Sequence, residues 1–128
     1  MKLLIDTHSF LWFIDGSSQL SATARKLIEN AANERYLSVA SVWEMAIKIS
    51  LGKLSLGQPI EVQIPHQLSH NGIALLDIGV SHAAVVAALP LHHRDPFDRM
   101  LVAQARVEQL SVVSVDSALD AYGVTRLW

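Results

Sequence analysis

Lys2-Leu3-Leu4-Ile5-Asp6 is a short apolar run closed by an aspartate. Aspartate is disfavoured in strands, so a buried-looking strand that ends in one needs a reason beyond local propensity. Two later runs have the same form: Tyr36-Leu37-Ser38-Val39-Ala40 is followed by Glu44, and Val112-Val113-Ser114-Val115 by Asp116. A fourth acid, Asp98, sits in the first turn of a helix predicted to open at Asp95-Pro96. In a parallel sheet these strand ends converge, and carboxylates gathered at that edge make a site for a hard divalent cation.

Outward from β-forming residues 2–6, short apolar runs alternate with longer amphipathic stretches, the pattern of an α/β domain with a parallel sheet. Strands are expected at about 36–40, 74–78 and 112–115, with a weaker edge strand near 124–127. Helices are expected over about 8–14, from an N-cap at Ser21 to Asn30, and from Ser41 to a stop at Gly52. A helical pattern over 60–70 contains Pro65, which should interrupt it. Ser81 can cap a helix running to Leu89, and further helices are expected over 96–109 and 116–122. The 128 residues suit a single domain spanning 1–128, large enough to bury one core without staples.

Composition narrows the function classes. Half of the chain (51%) is hydrophobic and 17% charged, which excludes disorder and leaves room for an apolar patch that meets a partner. Without cysteine there is no disulfide, thiolate metal site or cysteine nucleophile. The apolar run at the amino terminus is too short for a signal peptide and nothing reaches membrane-spanning length, so a cytoplasmic protein is expected. A formal charge of −2 with scattered Lys and Arg is not the footprint of a protein that holds nucleic acid by charge alone. A phosphodiester substrate would require cations at the acidic site to offset repulsion.

Each acid also has a structural explanation. Ser41-x-x-Glu44 has the form of a capping box, and Asp95-Pro96-Phe97-Asp98 places a cap, an N1 proline and an acid that the helix dipole favours. Asp116 can cap its short helix. The combination is harder to explain by capping, because four carboxylates at one edge repel unless a cation neutralises them. An oxygen-only set favours Mg²⁺ or Mn²⁺ over Zn²⁺.

Other candidates are weaker. His66 and His70 stand at i, i+4 but lack a third ligand and read as a surface pair. His92 and His93 are adjacent and cannot both face one point on regular structure; one of them, or Arg94, could reach a phosphate. His8 lies near the expected site and equally suits packing at a helix start. Trp12 and Trp43 read as core or interface anchors.

Taken together, Leu4-Ile5-Asp6-Thr7-His8, Ser41-Val42-Trp43-Glu44-Met45-Ala46-Ile47-Lys48, His93-Arg94-Asp95-Pro96-Phe97-Asp98-Arg99-Met100-Leu101-Val102-Ala103-Gln104-Ala105 and Ser114-Val115-Asp116 resemble the PIN domain, specifically the VapC-type toxins of toxin–antitoxin modules. The resemblance covers essentially the whole chain. It implies a three-layer α/β/α fold with a parallel sheet of four or five strands, and Mg²⁺- or Mn²⁺-dependent endoribonuclease activity. It also implies restraint by a cognate antitoxin, and homodimerisation. Asp6, Glu44, Asp98 and Asp116 match the family's four acidic positions, with Asp6 and Asp98 placed closest to the metal. The third motif departs from the pattern in carrying two acids; Asp98 is assigned to the site and Asp95 to the cap, an assignment that can be reversed. Ser114 can hydrogen-bond a metal ligand or its water.

The leading expectation is therefore a nuclease in which metal-assisted water attacks an RNA phosphodiester. Ile5-Asp6-Thr7 at a strand end is also similar to haloacid-dehalogenase-type phosphatases, although the aspartate expected two residues on is His8. A third possibility is an inactive interaction domain that binds a partner through Phe10, Trp12 and Trp43.

Overall fold

Alternating side chains on the first strand already divide the molecule into layers. A computed structural model describes residues 1–128. In β1 (Lys2–Ile5), Leu3 and Ile5 face one core, and Leu4 faces a second on the other side of the sheet. All three are fully buried, as a parallel strand covered on both faces must be. The chain then runs through α1 (Thr7–Asp15), α2 (Ala22–Glu29), β2 (Glu34–Ser38), α3 (Val39–Ser50), α4 (Ile60–Asn71), β3 (Ala74–Leu76), α5 (Val80–Ala88), α6 (Pro96–Glu108), β4 (Ser111–Val113), a 3₁₀ helix (Ser117–Tyr122) and β5 (Arg126–Leu127). No helix is long and apolar enough to cross a membrane.

The five strands are all parallel, in the order β3-β2-β1-β4-β5. This is the three-layer α/β/α arrangement expected above. The first core packs Phe10, Leu11, Ile28, Met45 and Ile64 from α1 to α4 against Leu3, Ile5, Leu37 and Val113. The second packs Leu101, Val102 and Ala105 of α6, with Leu119 and Tyr122, against Leu4 and Val112. The register pairs Leu4 with Val112 and Ile5 with Val113, so neighbouring strands present matching faces. From β1 the chain moves first to one side of the sheet and then returns to the other, which puts the topological switch point between β1 and β4.

Several local expectations are corrected. β2 ends at Ser38, whose hydroxyl accepts the Ala40 amide at 3.0 Å and caps α3. Val39 and Ala40 therefore start a helix rather than end a strand, and Ser41-x-x-Glu44 lies inside α3 and is no capping box. Pro65 does not interrupt α4, because the carbonyl left without its amide partner belongs to exposed Glu61 in the first turn, within reach of water. The start of α5 is Gly79 rather than Ser81; its amide donates to His82 Nδ1 at 2.9 Å. Phe10 is fully buried and unavailable to a partner, whereas Trp43 is 59% exposed and is no core residue.

At the opposite edge of the sheet from the acidic residues, buried Arg35 has no carboxylate partner. Its guanidinium donates to the carbonyls of Ile28 (2.6 Å), Asn33 (3.2 Å) and Gly72 (3.3 Å). Ile28 lies in the last turn of α2 and Gly72 caps α4, so one cation serves the carbonyl ends of two helices. Gly72 has φ +65°, and a Cβ there would stand 3.1 Å from Arg35 Nη2. Arg35→Met should leave these carbonyls unserved and lower unfolding free energy by roughly 2–4 kcal/mol, measured by urea denaturation. The chemistry of the distant acidic edge should be unchanged per folded molecule.

Candidate active site

Asp6 emerges at the end of the central strand, where its amide donates to Val113 O at 3.1 Å across the switch point. Its carboxylate Oδ1 accepts the Ser9 amide at 2.9 Å and caps α1. Asp6 thus has a capping role that strand propensity alone did not reveal, and it remains 7% exposed.

Asp6 borders a cleft of about 100 Å³ together with Thr7, His8, Glu44, Asp95, Asp98, Val115 and Asp116. The four acids singled out from the sequence, and Asp95, therefore border one cavity, delivered by β1, α3, α6 and the loop after β4. Each is held differently. Glu44, buried on α3, receives the Thr7 hydroxyl on Oε1 at 2.7 Å and the Lys48 ammonium on Oε2 at 2.8 Å, so both its oxygens are engaged. Ser41 Oγ lies 2.9 Å from the same Thr7 hydroxyl and completes the buried chain. Asp95 Oδ1 accepts the amides of Phe97 (2.8 Å) and Asp98 (3.2 Å), the capping geometry expected of it. Asp116 Oδ1 accepts the Ala118 amide at 3.0 Å. Ser114 Oγ accepts the Asp116 amide at 3.0 Å, and so fixes that loop's backbone rather than the carboxylate.

Asp98 is the exception, since its carboxylate accepts neither a backbone amide, as Asp6, Asp95 and Asp116 do, nor a hydroxyl and an ammonium, as Glu44 does. Burial raises its pKa from 3.8 to about 7; neighbouring Asp95 adds to the rise, as do Asp6 and Glu44 more weakly, while His93 opposes it. His93 Nε2 lies 3.2 Å from Asp98 Oδ2 and bonds Asp116 Oδ2 at 3.3 Å. These three groups present ligand-type atoms within 4.8 Å of one another. Sequence reasoning gave His93 at most a phosphate contact; its adjacency to His92 hid which ring turns inward, and only the loop's fold decides it. His92 instead packs edge-on against Tyr122 at 5.2 Å. His66 and His70 stack on each other at 6.0 Å, and neither borders the cleft.

The donor chemistry fits a hard divalent cation: oxygen ligands, a carboxylate (Asp98) engaged by neither amide, hydroxyl nor ammonium, and like charges whose repulsion a cation would relieve. Trp43, just before Glu44, packs edge-on against Phe97, just before Asp98, with ring centroids 5.2 Å apart. An exposed aromatic surface thus stands beside the helices that carry two of the acids.

A parallel sheet whose central strand and neighbouring elements deliver acids to one cleft at the switch point defines a class of small acidic-cleft α/β domains. The chain belongs to the PIN domain family, whose family model matches residues 3–124. Ribonuclease VapC16 of Mycobacterium tuberculosis is 33% identical over 60 residues, a stretch covering 47% of this chain and 43% of that protein. The match thus spans less than half the length of this curated relative. The structure of VapBC2 from Rickettsia felis bound to a DNA fragment from their promoter superposes with a TM-score of 0.74 at 12% identity, over 99% of this chain and 98% of that one. FitAcB from Neisseria gonorrhoeae superposes with a TM-score of 0.60 at 18% identity, over 98% and 96%. A toxin–antitoxin complex from Klebsiella pneumoniae gives 0.59 at 15%, over 90% and 87%. At these identities the structural likeness is one of fold.

The raised pKa of Asp98 has a consequence for stability. A carboxyl that holds its proton more tightly when folded favours the folded state at low pH, and that advantage is lost as pH rises from about 4 through about 7. In chelator, Asp98→Asn should flatten this dependence and melt above the parent at alkaline pH, by about 5 °C after allowing for screening at the exposed edge of the group. Thermal melts across pH check this; equal melting profiles would contradict it.

Proposed function

We propose that this chain is a divalent-metal-dependent endoribonuclease and the toxin of a toxin–antitoxin pair. The observation that carries the reading is the convergence of Asp6, Glu44, Asp98 and Asp116, from separate elements, on one cleft at the switch point of a PIN-family sheet. The ribonuclease relative supports the activity, and the toxin–antitoxin assemblies that share the fold support the setting.

Mg²⁺ or Mn²⁺ held by these carboxylates would activate a water for attack on phosphorus and stabilise the departing 3′ oxygen. Asp6 and Asp98 are its most direct ligands. Asp98 has no amide to compete for its oxygens, and Asp6 commits only Oδ1 to its cap. Glu44 comes next, its position set by Thr7 and Lys48 and its charge partly offset before any cation arrives. Asp116 ranks last, being the most exposed of the cluster around His93. Asp95 keeps its cap and contributes negative potential.

RNA reaches the cleft past Trp43, whose exposed ring, braced by Phe97, suits stacking of an unpaired base. With a net charge of −2, binding depends on such contacts and on the cation rather than on a basic surface. An apolar groove of about 280 Å³ lined by Val42, Ile60, Ile64, Pro65, Leu68 and Leu75 offers a seat for an antitoxin segment, and self-association into a dimer is part of the same reading. The phosphatase alternative has no favouring observation: His8 holds the place of its second aspartate.

Asp6→Asn should lower RNA cleavage in Mg²⁺ by roughly two orders of magnitude or more while leaving the fold intact, because asparagine also caps helices. Cleavage at the parental rate by a folded Asp6→Asn protein would sink the mechanism. Trp43→Ala should raise KM for single-stranded RNA roughly tenfold with little change in kcat. Steady-state kinetics separate the two parameters, and an unchanged KM would remove Trp43 from the RNA path.

A further inference from the structure

We infer that the His93 ring is a placeholder for the cation: it bridges Asp98 and Asp116 in the metal-free protein through a protonated Nε2, and metal binding displaces it rather than recruiting it as a ligand. This inference rests on the metal-dependent reading above and assigns a further positioning residue within it.

Hydrogen bonding at the far side of the ring fixes its tautomer. Nδ1 accepts the Asp95 amide at 3.1 Å, so its lone pair is occupied and it carries no proton. The proton of the neutral imidazole therefore sits on Nε2, the atom facing Asp98 Oδ2 at 3.2 Å and Asp116 Oδ2 at 3.3 Å. A ring nitrogen that bears a proton has no lone pair to give a metal. As found, His93 is a hydrogen-bond donor to Asp116 and lies against the Asp98 carboxylate. To become a ligand it would have to reverse its tautomer and abandon the amide just before α6.

The ring's placement is built, and not a chance contact on a mobile loop. The His93 amide donates to the Tyr122 hydroxyl at 2.8 Å. Arg99 donates to that same hydroxyl at 3.2 Å and to the carbonyls of Pro90 (3.0 Å), Val86 (3.2 Å) and Leu89 (3.3 Å). The segment from the end of α5 to α6 is thus fastened to the second core, and His93 is held at its tip. Its Nε2–H spans the gap between two carboxylates that would otherwise meet charge to charge. A cation held by Asp98 and Asp116 would do that work with more charge, so the two occupants would exclude each other.

Calorimetric titration with Mg²⁺ tests the exclusion without reference to activity. His93→Ala should bind Mg²⁺ more tightly, by roughly three- to tenfold, the range spanned by a typical net hydrogen bond. Weaker or unchanged binding by the variant overturns the inference while leaving the nuclease reading in place. A parent protein that binds no Mg²⁺ sinks both. Nitrogen-15 NMR of the parent gives a second readout that needs no variant. Nε2 should stay protonated when Mg²⁺ is added, and its resonance should move towards that of a free ring. Loss of the Nε2 proton on adding Mg²⁺ would identify a ligand and refute displacement.

Discussion

The rest of the site depends on one constraint: five carboxylates border a cleft barely larger than a few water molecules, and each must be prevented from repelling the others. Three are held by helix-start geometry, Asp6 on the Ser9 amide, Asp95 on the amides of Phe97 and Asp98, and Asp116 on the Ala118 amide. Glu44 relies on Thr7 and Lys48. Asp98 alone receives neither amide, hydroxyl nor ammonium, and its raised pKa records its burial first and the charge of its acidic neighbours second. Capping and metal binding, which compete as explanations of a single acid, are therefore complementary at the level of the cleft. The caps allow the charges to be brought together, and under the proposed function the acid left unengaged would make the assembly receptive to a cation.

Much of the fold was legible because β1 is unambiguous. An apolar run ended by Asp6 has one comfortable place, the middle of a parallel sheet, and the five-stranded order follows from strands separated by helices. Where side-chain patterns fit two structures, legibility failed. Val39 and Ala40 suit either a strand end or a helix start, and Ser38 decides for the helix by supplying its hydroxyl as cap. Ser41-x-x-Glu44 has capping spacing, yet its side chains turn towards Thr7 instead of towards their own backbone. Pro65 is a reliable breaker only when the carbonyl it abandons is sealed from water.

Within the site, acids at element ends could be picked out because each follows a regular strand or opens a regular helix. His93 could not, since nothing in an irregular loop shows which of two adjacent rings turns inward. Its orientation is decided by Tyr122 and Arg99, residues distant in sequence that carry no sign of that duty. For Trp43 the sequence left core and interface open for a related reason: apolar neighbours in a helix do not say which face is covered, and Trp43 falls at the open margin of α3, outside the core.

Arg35 shows what the opposite pole of the same architecture demands. Because every helix in a parallel sheet runs back against the strands, one edge collects helix beginnings, rich in amide donors, and the other collects helix endings, rich in carbonyl oxygens. Arg35 satisfies such oxygens from α2 and α4, just as Asp6, Asp95 and Asp116 answer amides at the other edge. The domain therefore has an electrical direction before any ligand arrives. A buried carboxylate set among the carbonyls around Arg35 would meet repulsion on every side, so of the two ends of this sheet only one can host a cleft of acids.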